Sequence, residues 1–359
     1  MKKNILVVDD SALMRRVICD IINSDDSFQA IDTCKDGLEA LETLRKKKYD
    51  GVVLDINMPR MDGLELLDKL QEEKIKATII MVSTLTTKDA EVTILAMERG
   101  AIDFVTKPTN VIDAKGDEFK QTLLSVLNAV ITTRSFSGSR TSSGRAVAPK
   151  PVERKPRTIS APAKKGGKKL VALACSTGGP KSLQSVIPKL PKNLNAPMVL
   201  VQHMPKGFTK SLADRLDELS QIKVTEAADG DVLENGHVYI APGGFHMEVK
   251  KNAGGSHKIA LNNMPAIGGL RPCANVTYDS LTASDYDEII CVVLTGMGAD
   301  GTNGILSLEK KKPVYVISQN AETCVVYGMP KAIYESGVVD EVVPLEDVAA
   351  AITKYVGVK

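Results

Sequence analysis

Residues 169–183 read KLVALACSTGGPKSL, and this stretch decides how the chain is organised. An apolar run extends from Leu170 to Cys175, Ser-Thr-Gly-Gly-Pro interrupts it, and a pattern with helical spacing follows. The pattern predicts a strand, a tight Gly-rich turn and a helix, with Ser176 where strand gives way to helix. A hydroxyl held there faces a ligand, while the next helix directs free N–H groups at developing negative charge. Two later apolar runs end in equally suggestive residues, MVLVQH at His203 and IICVVLTGMGAD at Asp300. A nucleophile, a base and an acid at the ends of three strands form a stronger signal than any one of them.

The 359 residues suffice for two or three domains, and 43% hydrophobic content can fill their cores. Trp is absent and aromatics are 4%, so those cores are built from aliphatic residues, Ala and Met. No apolar run reaches the roughly 18 residues of a membrane-spanning helix. The apolar part of MKKNILVVDDS is too short for a secretory signal, and a cytoplasmic location is expected. The six cysteines, Cys19, Cys34, Cys175, Cys273, Cys291 and Cys324, form no CxxC pair. Reduced thiols are expected from them, without a zinc site.

Charge is distributed unevenly. Residues 135–169 carry ten Lys/Arg and one Glu, a net +9, which leaves −7 on the rest of a chain whose total is +2. The segment is rich in Ser, Pro and Gly and lacks hydrophobic periodicity, so residues 135–168 read as a flexible basic linker. Positive charge confined to a linker is not the patterned basic face of a nucleic-acid binder, and no nucleic-acid partner is expected.

The linker separates two globular halves, 1–134 and 169–359. In the first, NILVVD, FQAIDTC, GVVLDI, TIIMVS and DFVTK alternate with stretches of helical spacing. That predicts a doubly wound α/β domain with five parallel strands. In the second, KLVALA, MVLVQ, EIICVVLTG, PVYVIS and VVDEVV alternate with helical stretches. VYIAP, HMEVK and KIALN are joined by Gly-Gly turns and suggest an antiparallel insertion. The second half is therefore expected to be α/β with a mainly parallel sheet and a small antiparallel insertion.

In the first half, Asp9 and Asp10 end the first strand, Asp55 the third, Ser83 and Thr84 the fourth, and Lys107 the fifth. Such ends converge on one edge of a parallel sheet. Three carboxylates gathered there call for a cation, and an all-oxygen set suits Mg²⁺. The DD pair, the D-x-x-M-P-x-x-D-G loop at 55–63 and the KP pair at 107–108 closely resemble a response-regulator receiver domain. The resemblance implies that Asp55 accepts a phosphoryl group from a histidine kinase. It also implies that Asp9, Asp10, Asp55 and the carbonyl of Asn57 hold Mg²⁺, and that Lys107 pairs with the phosphate. Ser83, which directly follows the apolar strand, is the expected switch hydroxyl, with Thr84 as the alternative. Phe104 stands where many receivers carry an aromatic switch.

In the second half, a serine needs a base to become nucleophilic, and the base needs a third group to orient it. Of the four histidines, His203, His237, His246 and His257, only His203 directly ends a buried-looking strand, as Ser176 does. Asp300 is the leading orienting acid, with Asp285 and Asp287 as weaker candidates. The order Ser176, His203, Asp300 matches none of the three common triad orders, and Ser176 is not in a G-x-S-x-G setting. A phosphate-cradling role for STGG lacks both G-x-G-x-x-G and a P-loop lysine.

The segments STGGP, VLVQHM, GHVYIAPGGFHM, RPCANV and VLTGMGADG resemble the catalytic domain of the chemotaxis protein-glutamate methylesterases. The resemblance implies a catalytic Ser176, His203 and Asp300, with no cofactor at the esterase site. The resemblance also implies that Thr177 and Met297 lie beside the serine, as candidate oxyanion donors through their N–H groups. Ala174-Cys175 replaces the Gly-Ala common before the serine. Implied partners are methyl-accepting chemotaxis receptors as substrate and a chemotaxis histidine kinase as phosphodonor, with membrane proximity only through receptors. The expected activity is hydrolysis of glutamate methyl esters and deamidation of glutamines, controlled by docking of the unphosphorylated receiver near Ser176. A phosphorylation-switched adaptor and a hydrolase of an unrelated small ester are the competing classes.

Overall fold

The computed structural model describes residues 2–108, 117–132 and 167–358. The chain divides into two compact units, residues 1–135 and 136–359. The linker expected at 135–168 lies outside the described residues except for its last two positions.

The strands of the first unit are β1 (Lys3–Val8), β2 (Phe28–Cys34), β3 (Gly51–Asp55), β4 (Ile79–Ser83) and β5 (Asp103–Thr106). All pairings are parallel, in the order β2-β1-β3-β4-β5. β3 and β4 are buried along their whole length, which is why GVVLD and IIMVS read as continuous apolar runs without alternation. Helices Ala12–Asn23, Gly37–Lys46, Gly63–Glu72 and Thr87–Glu98 start at Ser11, Asp36, Asp62 and Thr86, whose side-chain oxygens accept otherwise unpaired N–H groups. Asp62 and Glu65 complete a capping box. The Asp-Gly pairs at 36–37 and 62–63 are therefore helix starts.

Gly63 is required by packing. A Cβ there would lie 2.5 Å from the Asp55 carbonyl oxygen, so only glycine lets the loop after β3 fold back on the strand. Helix Asp117–Leu127 runs on into a π-helical turn, Asn128–Thr132. Because β1 lies between β2 and β3, the chain winds outward from it in both directions. The crevice at that switch opens at the C-terminal ends of β1 and β3, where Asp9 and Asp55 stand.

The second unit contains β6 (Lys169–Cys175), β7 (Met198–Gln202), β8 (Lys223–Glu226), β9 (His237–Ile240), β10 (His246–Lys251), β11 (His257–Asn262), β12 (Glu288–Val293), β13 (Val314–Gln319) and β14 (Glu341–Val343). Seven of these form one sheet in the order β14-β13-β12-β6-β7-β9-β8, parallel at every pairing. β10 and β11 form a separate antiparallel pair.

The expected insertion is thus smaller than three strands. The VYIAP segment forms most of β9, which pairs in parallel with β7 and β8 and belongs to the main sheet. The partners Met198 and Val238 are far apart in sequence, and the local Gly-Gly pattern carries no sign of that pairing. Strand β8 and the closing helix Val348–Val356 are additions to the expected elements.

β6 is the switch strand of this sheet. The chain leaves it toward β7, β9 and β8 on one side and returns to β12, β13 and β14 on the other. Ligands of open parallel sheets bind outside the carboxyl ends at such a point. The fully buried Tyr278, on helix Ala274–Ser280, donates its hydroxyl to the Ala172 carbonyl of β6 at 3.1 Å. That contact seats the helix against the switch strand, and the first amides of the helix bear on the site.

Candidate functional site

Ser176 directly follows β6 and His203 directly follows β7. Cys175 and Gln202 are cross-strand partners, so the two candidate residues come next on neighbouring strands. The His203 N–H reaches back to the Cys175 carbonyl at 3.3 Å. The loop after β12 lies over the same edge. A Cβ on Gly296 would sit 2.9 Å from Ser176 Cβ, and the partly exposed Met297 follows.

Asp300, in that loop, is buried and densely hydrogen-bonded. Its Oδ2 lies 2.7 Å from His203 Nε2 and accepts the Ala274 N–H at 2.6 Å. Its Oδ1 accepts the N–H groups of Asn275 at 3.0 Å and Gly301 at 2.9 Å, and the Cys273 thiol at 3.2 Å. Burial opposes ionisation, but the hydrogen bond and charge of His203 and the amides of Ala274 and Asn275 outweigh it. They hold the Asp300 carboxyl at about 2. An ionised carboxylate only accepts, so His203 Nε2 carries the proton between them. The lone pair of a neutral His203 ring is then on Nδ1, which is the atom able to act as base.

Ser176 Oγ makes no hydrogen bond to His203 or to another described residue. The structure brings the candidate nucleophile and candidate base to adjacent strand ends without joining their side chains, as is common before substrate binds. The Thr177 N–H has no acceptor among the described residues, while the Thr177 carbonyl accepts the Thr295 hydroxyl at 3.0 Å. Cys175 is wholly buried, which pushes its thiol well above the ordinary range, and it donates to Gln202 Oε1 at 3.0 Å. It is no reactive thiol beside the serine.

In the first unit, Asp9, Asp10 and Asp55 each place one carboxylate oxygen within 4.8 Å of the others. Lys107 Nζ lies 2.8 Å from Asp9 Oδ2 and 2.7 Å from Asp55 Oδ2. One lysine against three carboxylates leaves two negative charges. Asp9 Oδ2 is buried and, although close to Lys107, lacks a hydrogen bond of good geometry. Burial pushes Asp55 up to about 6, against the pull of Lys107. An all-oxygen donor set with two uncompensated charges and a free buried lone pair fits Mg²⁺.

The other receiver candidates are placed as follows. Asn57 is exposed and donates its side-chain amide to Asp89 at 2.9 Å. Ser83 is buried, its hydroxyl accepts from Thr93 at 2.9 Å, and its carbonyl accepts the Lys107 N–H at 2.6 Å. Thr84 donates to Asp89, and Phe104 is buried. Asp89 was not anticipated. Burial opposes its ionisation, but bonds from Thr84, Thr86 and Asn57 hold it below the usual carboxylate range. It ties the loops after β3 and β4 to the start of helix Thr87–Glu98.

Comparison with known proteins bears on both units. Residues 171–352 match the family described as CheB methylesterase. The chain belongs to that family. Residues 5–114 match the response regulator receiver domain, so this member of the family carries a receiver ahead of its methylesterase domain. A Pyrococcus abyssi protein named protein-glutamate methylesterase/protein-glutamine glutaminase is 43% identical over 357 residues, covering 99% of this chain and 94% of its own. A Bacillus subtilis protein of the same name is 43% identical over 357 residues, covering 98% of each chain. The crystal structure of the Thermotoga maritima CheB methylesterase catalytic domain is 44% identical with a TM-score of 0.51, covering 53% of this chain and 99% of that one. Among the described residues, no helix is long and apolar enough to cross a membrane.

In this family member, sequence reasoning passed over several groups that position the site. Asn275 Oδ1 accepts the N–H groups of Gly301 at 3.1 Å and Gly304 at 2.7 Å. Thr295 donates its hydroxyl to the Thr177 carbonyl, and Gln202 donates its amide to the main-chain carbonyls of Ser176 and His203. A glutamine closing the apolar run MVLVQ was the available signal, since a polar side chain on a buried strand needs partners.

Proposed function

We propose that the chain is a phosphorylation-activated hydrolase that removes methyl esters from glutamate side chains of chemotaxis receptors and deamidates receptor glutamines. The observation that carries this reading is the His203–Asp300 pair at 2.7 Å, beside Ser176 on the next strand end.

Ser176 Oγ attacks the γ-carbonyl of the substrate while His203 Nδ1 takes its proton. Asp300 holds Nε2–H and stabilises the imidazolium that forms. The Thr177 N–H, which has no acceptor among the described residues, and the Met297 N–H receive the charge developing on the carbonyl oxygen. The tetrahedral intermediate collapses as the imidazolium returns a proton to the leaving group, releasing methanol from an ester or ammonia from an amide. Water, deprotonated by His203, then hydrolyses the acyl-serine to glutamate and restores Ser176.

The receiver supplies the control, and residues 1–134, 135–168 and 169–359 divide the chain into receiver, linker and catalytic domain. Asp55 accepts the phosphoryl group from a chemotaxis histidine kinase. Asp9, Asp10, Asp55 and the Asn57 carbonyl would hold Mg²⁺, which neutralises phosphoryl oxygens when bound. Lys107 pairs with the phosphate, and Ser83 senses it through its hydroxyl. Cytoplasmic placement follows from this partner set.

The test is methanol release from methylated receptor, and ammonia release from unmodified receptor, with and without a small phosphodonor. The wild-type rate rises with phosphodonor and Mg²⁺, and that of Asp55→Asn does not. Equal rates under all conditions would remove the regulatory half of the reading.

A further inference from the structure

Gln202 occupies a position in the site that the triad description leaves out. It ends β7 directly before His203 and is 2% exposed. Its Nε2 donates to two main-chain carbonyls, Ser176 O at 3.1 Å and His203 O at 3.1 Å. Its Oε1 accepts the Cys175 thiol at 3.0 Å. The orientation of the amide is unambiguous, because carbonyl oxygens only accept and must face the NH₂ group. The space is closed on the remaining side, where a Cβ on Gly179 would lie 1.9 Å from Gln202 Oε1. One side chain therefore joins the peptide of the nucleophile to the peptide of the base.

The Ser176 carbonyl belongs to the same planar peptide group as the Thr177 N–H. That carbonyl receives two donors, Gln202 Nε2 and the Gly179 N–H at 2.7 Å. Planarity fixes the N–H opposite the C=O, so anchoring one end aims the other. Donation to the carbonyl also polarises the peptide and strengthens its N–H as a donor. Among the described residues this Thr177 N–H has no acceptor.

We propose that Gln202 is a positioning residue for the hydrolytic reaction: its amide aims the Thr177 N–H at the developing oxyanion and holds His203 in register with Ser176. The inference rests on the Ser-His-Asp reading of the site. Gln202 touches no substrate atom. Its contribution appears in the transition state, where the oxyanion forms, and not in ground-state binding.

The experiment compares full-length wild type, Gln202→Met, Gln202→Glu and Ser176→Ala in methanol release from methylated receptor with saturating phosphodonor. Gln202→Met keeps the length and removes both donors. Its kcat falls about 10- to 100-fold with KM unchanged, less than the roughly 10²–10³-fold loss when an oxyanion donor is removed outright. Gln202→Glu retains one donor while its buried carboxyl is protonated and loses it on ionisation. Its kcat therefore declines with rising pH across a range where the wild-type rate is flat. A purely structural glutamine predicts instead a lower melting temperature with unchanged kcat per folded molecule. If Gln202→Met does not fold, the pH profile of Gln202→Glu decides alone. Wild-type kcat in Gln202→Met, or a Gln202→Glu profile superimposable on wild type, overturns the proposal while an inactive Ser176→Ala preserves the triad. A fully active Ser176→Ala overturns both.

Discussion

Replacing Asp300 with asparagine keeps the shape of the side chain and exposes what its charge does. Five donors converge on the carboxylate: His203 Nε2, the N–H groups of Ala274, Asn275 and Gly301, and the Cys273 thiol. An asparagine must turn its NH₂ toward one set of them. Facing Ala274 and His203, it opposes a main-chain N–H and forces the imidazole into the wrong tautomer, with its proton on Nδ1. Facing Asn275 and Gly301, it preserves the tautomer but leaves buried donors unpaired. Either arrangement strands at least one donor, a loss of about 1–3 kcal/mol. Either also removes the charge that stabilises the imidazolium, and the rate falls by about 10⁴ where the tautomer is wrong.

The pH dependence has a definite sign. The Asp300 carboxyl is held at about 2 in the fold against an ordinary 3.8, a difference of about 2 kcal/mol. A depressed carboxyl adds stability above its unfolded value and loses it as pH falls through the folded value. Urea unfolding should place Asp300→Asn below wild type at pH 7, and the gap should narrow as pH falls from 4 toward 2. Methanol release at pH 7 reports the loss of rate. Wild-type rate and an unchanged unfolding midpoint in Asp300→Asn would refute the assignment of an ionised partner to His203.

Asp55 gives the opposite sign, because burial raises its carboxyl to about 6. Between pH 4 and 6 the unfolded chain binds fewer protons than the folded one, so in Mg²⁺-free buffer Asp55 removes about 3 kcal/mol of stability as pH rises. Unfolding of the first unit in Asp55→Asn should lack this decline, and parallel pH curves for wild type and variant would contradict the burial argument. Gly63→Ala places a Cβ 2.5 Å from the Asp55 carbonyl, and the forced backbone shift should lower stability by about 1–3 kcal/mol and slow phosphorylation of Asp55. An unchanged melting temperature and phosphorylation rate would show that the loop yields freely. Tyr278→Phe removes a buried hydroxyl that bonds the β6 main chain and should cost about 0.5–1.5 kcal/mol in urea unfolding. A midpoint equal to wild type would show that the hydroxyl does not seat the helix.

Much of this arrangement is legible in the chain because parallel sheets put local sequence and functional position in step. A continuous apolar run marks a buried strand, and the polar residue ending it falls on the ligand edge. Asp9, Asp55, Ser176 and His203 were found that way, and Asp300 by the Gly-rich turn around it. The order of strands and their partners is not local. β9 pairs with β7, whose nearest residues in sequence are separated from it by a helix and β8, and its short VYIAP signature resembled its hairpin neighbours. The four-residue edge strand β8 has too little periodicity to stand out. The positioning groups were the least legible. Gln202 ends a strand as any polar residue does, and nothing in its neighbours tells that its NH₂ group spans the carbonyls of Ser176 and His203. Asp89 reads as an ordinary residue of a first helical turn until Asn57 and Thr84 fold onto it.

The central claim is that Ser176 is the nucleophile of an esterase under receiver control. Its most direct test is methanol release from methylated receptor by full-length wild type and Ser176→Ala, both with Mg²⁺ and phosphodonor. The account predicts a folded Ser176→Ala with kcat reduced by several orders of magnitude and phosphorylation of Asp55 intact. Methanol release by Ser176→Ala at the wild-type rate would contradict it.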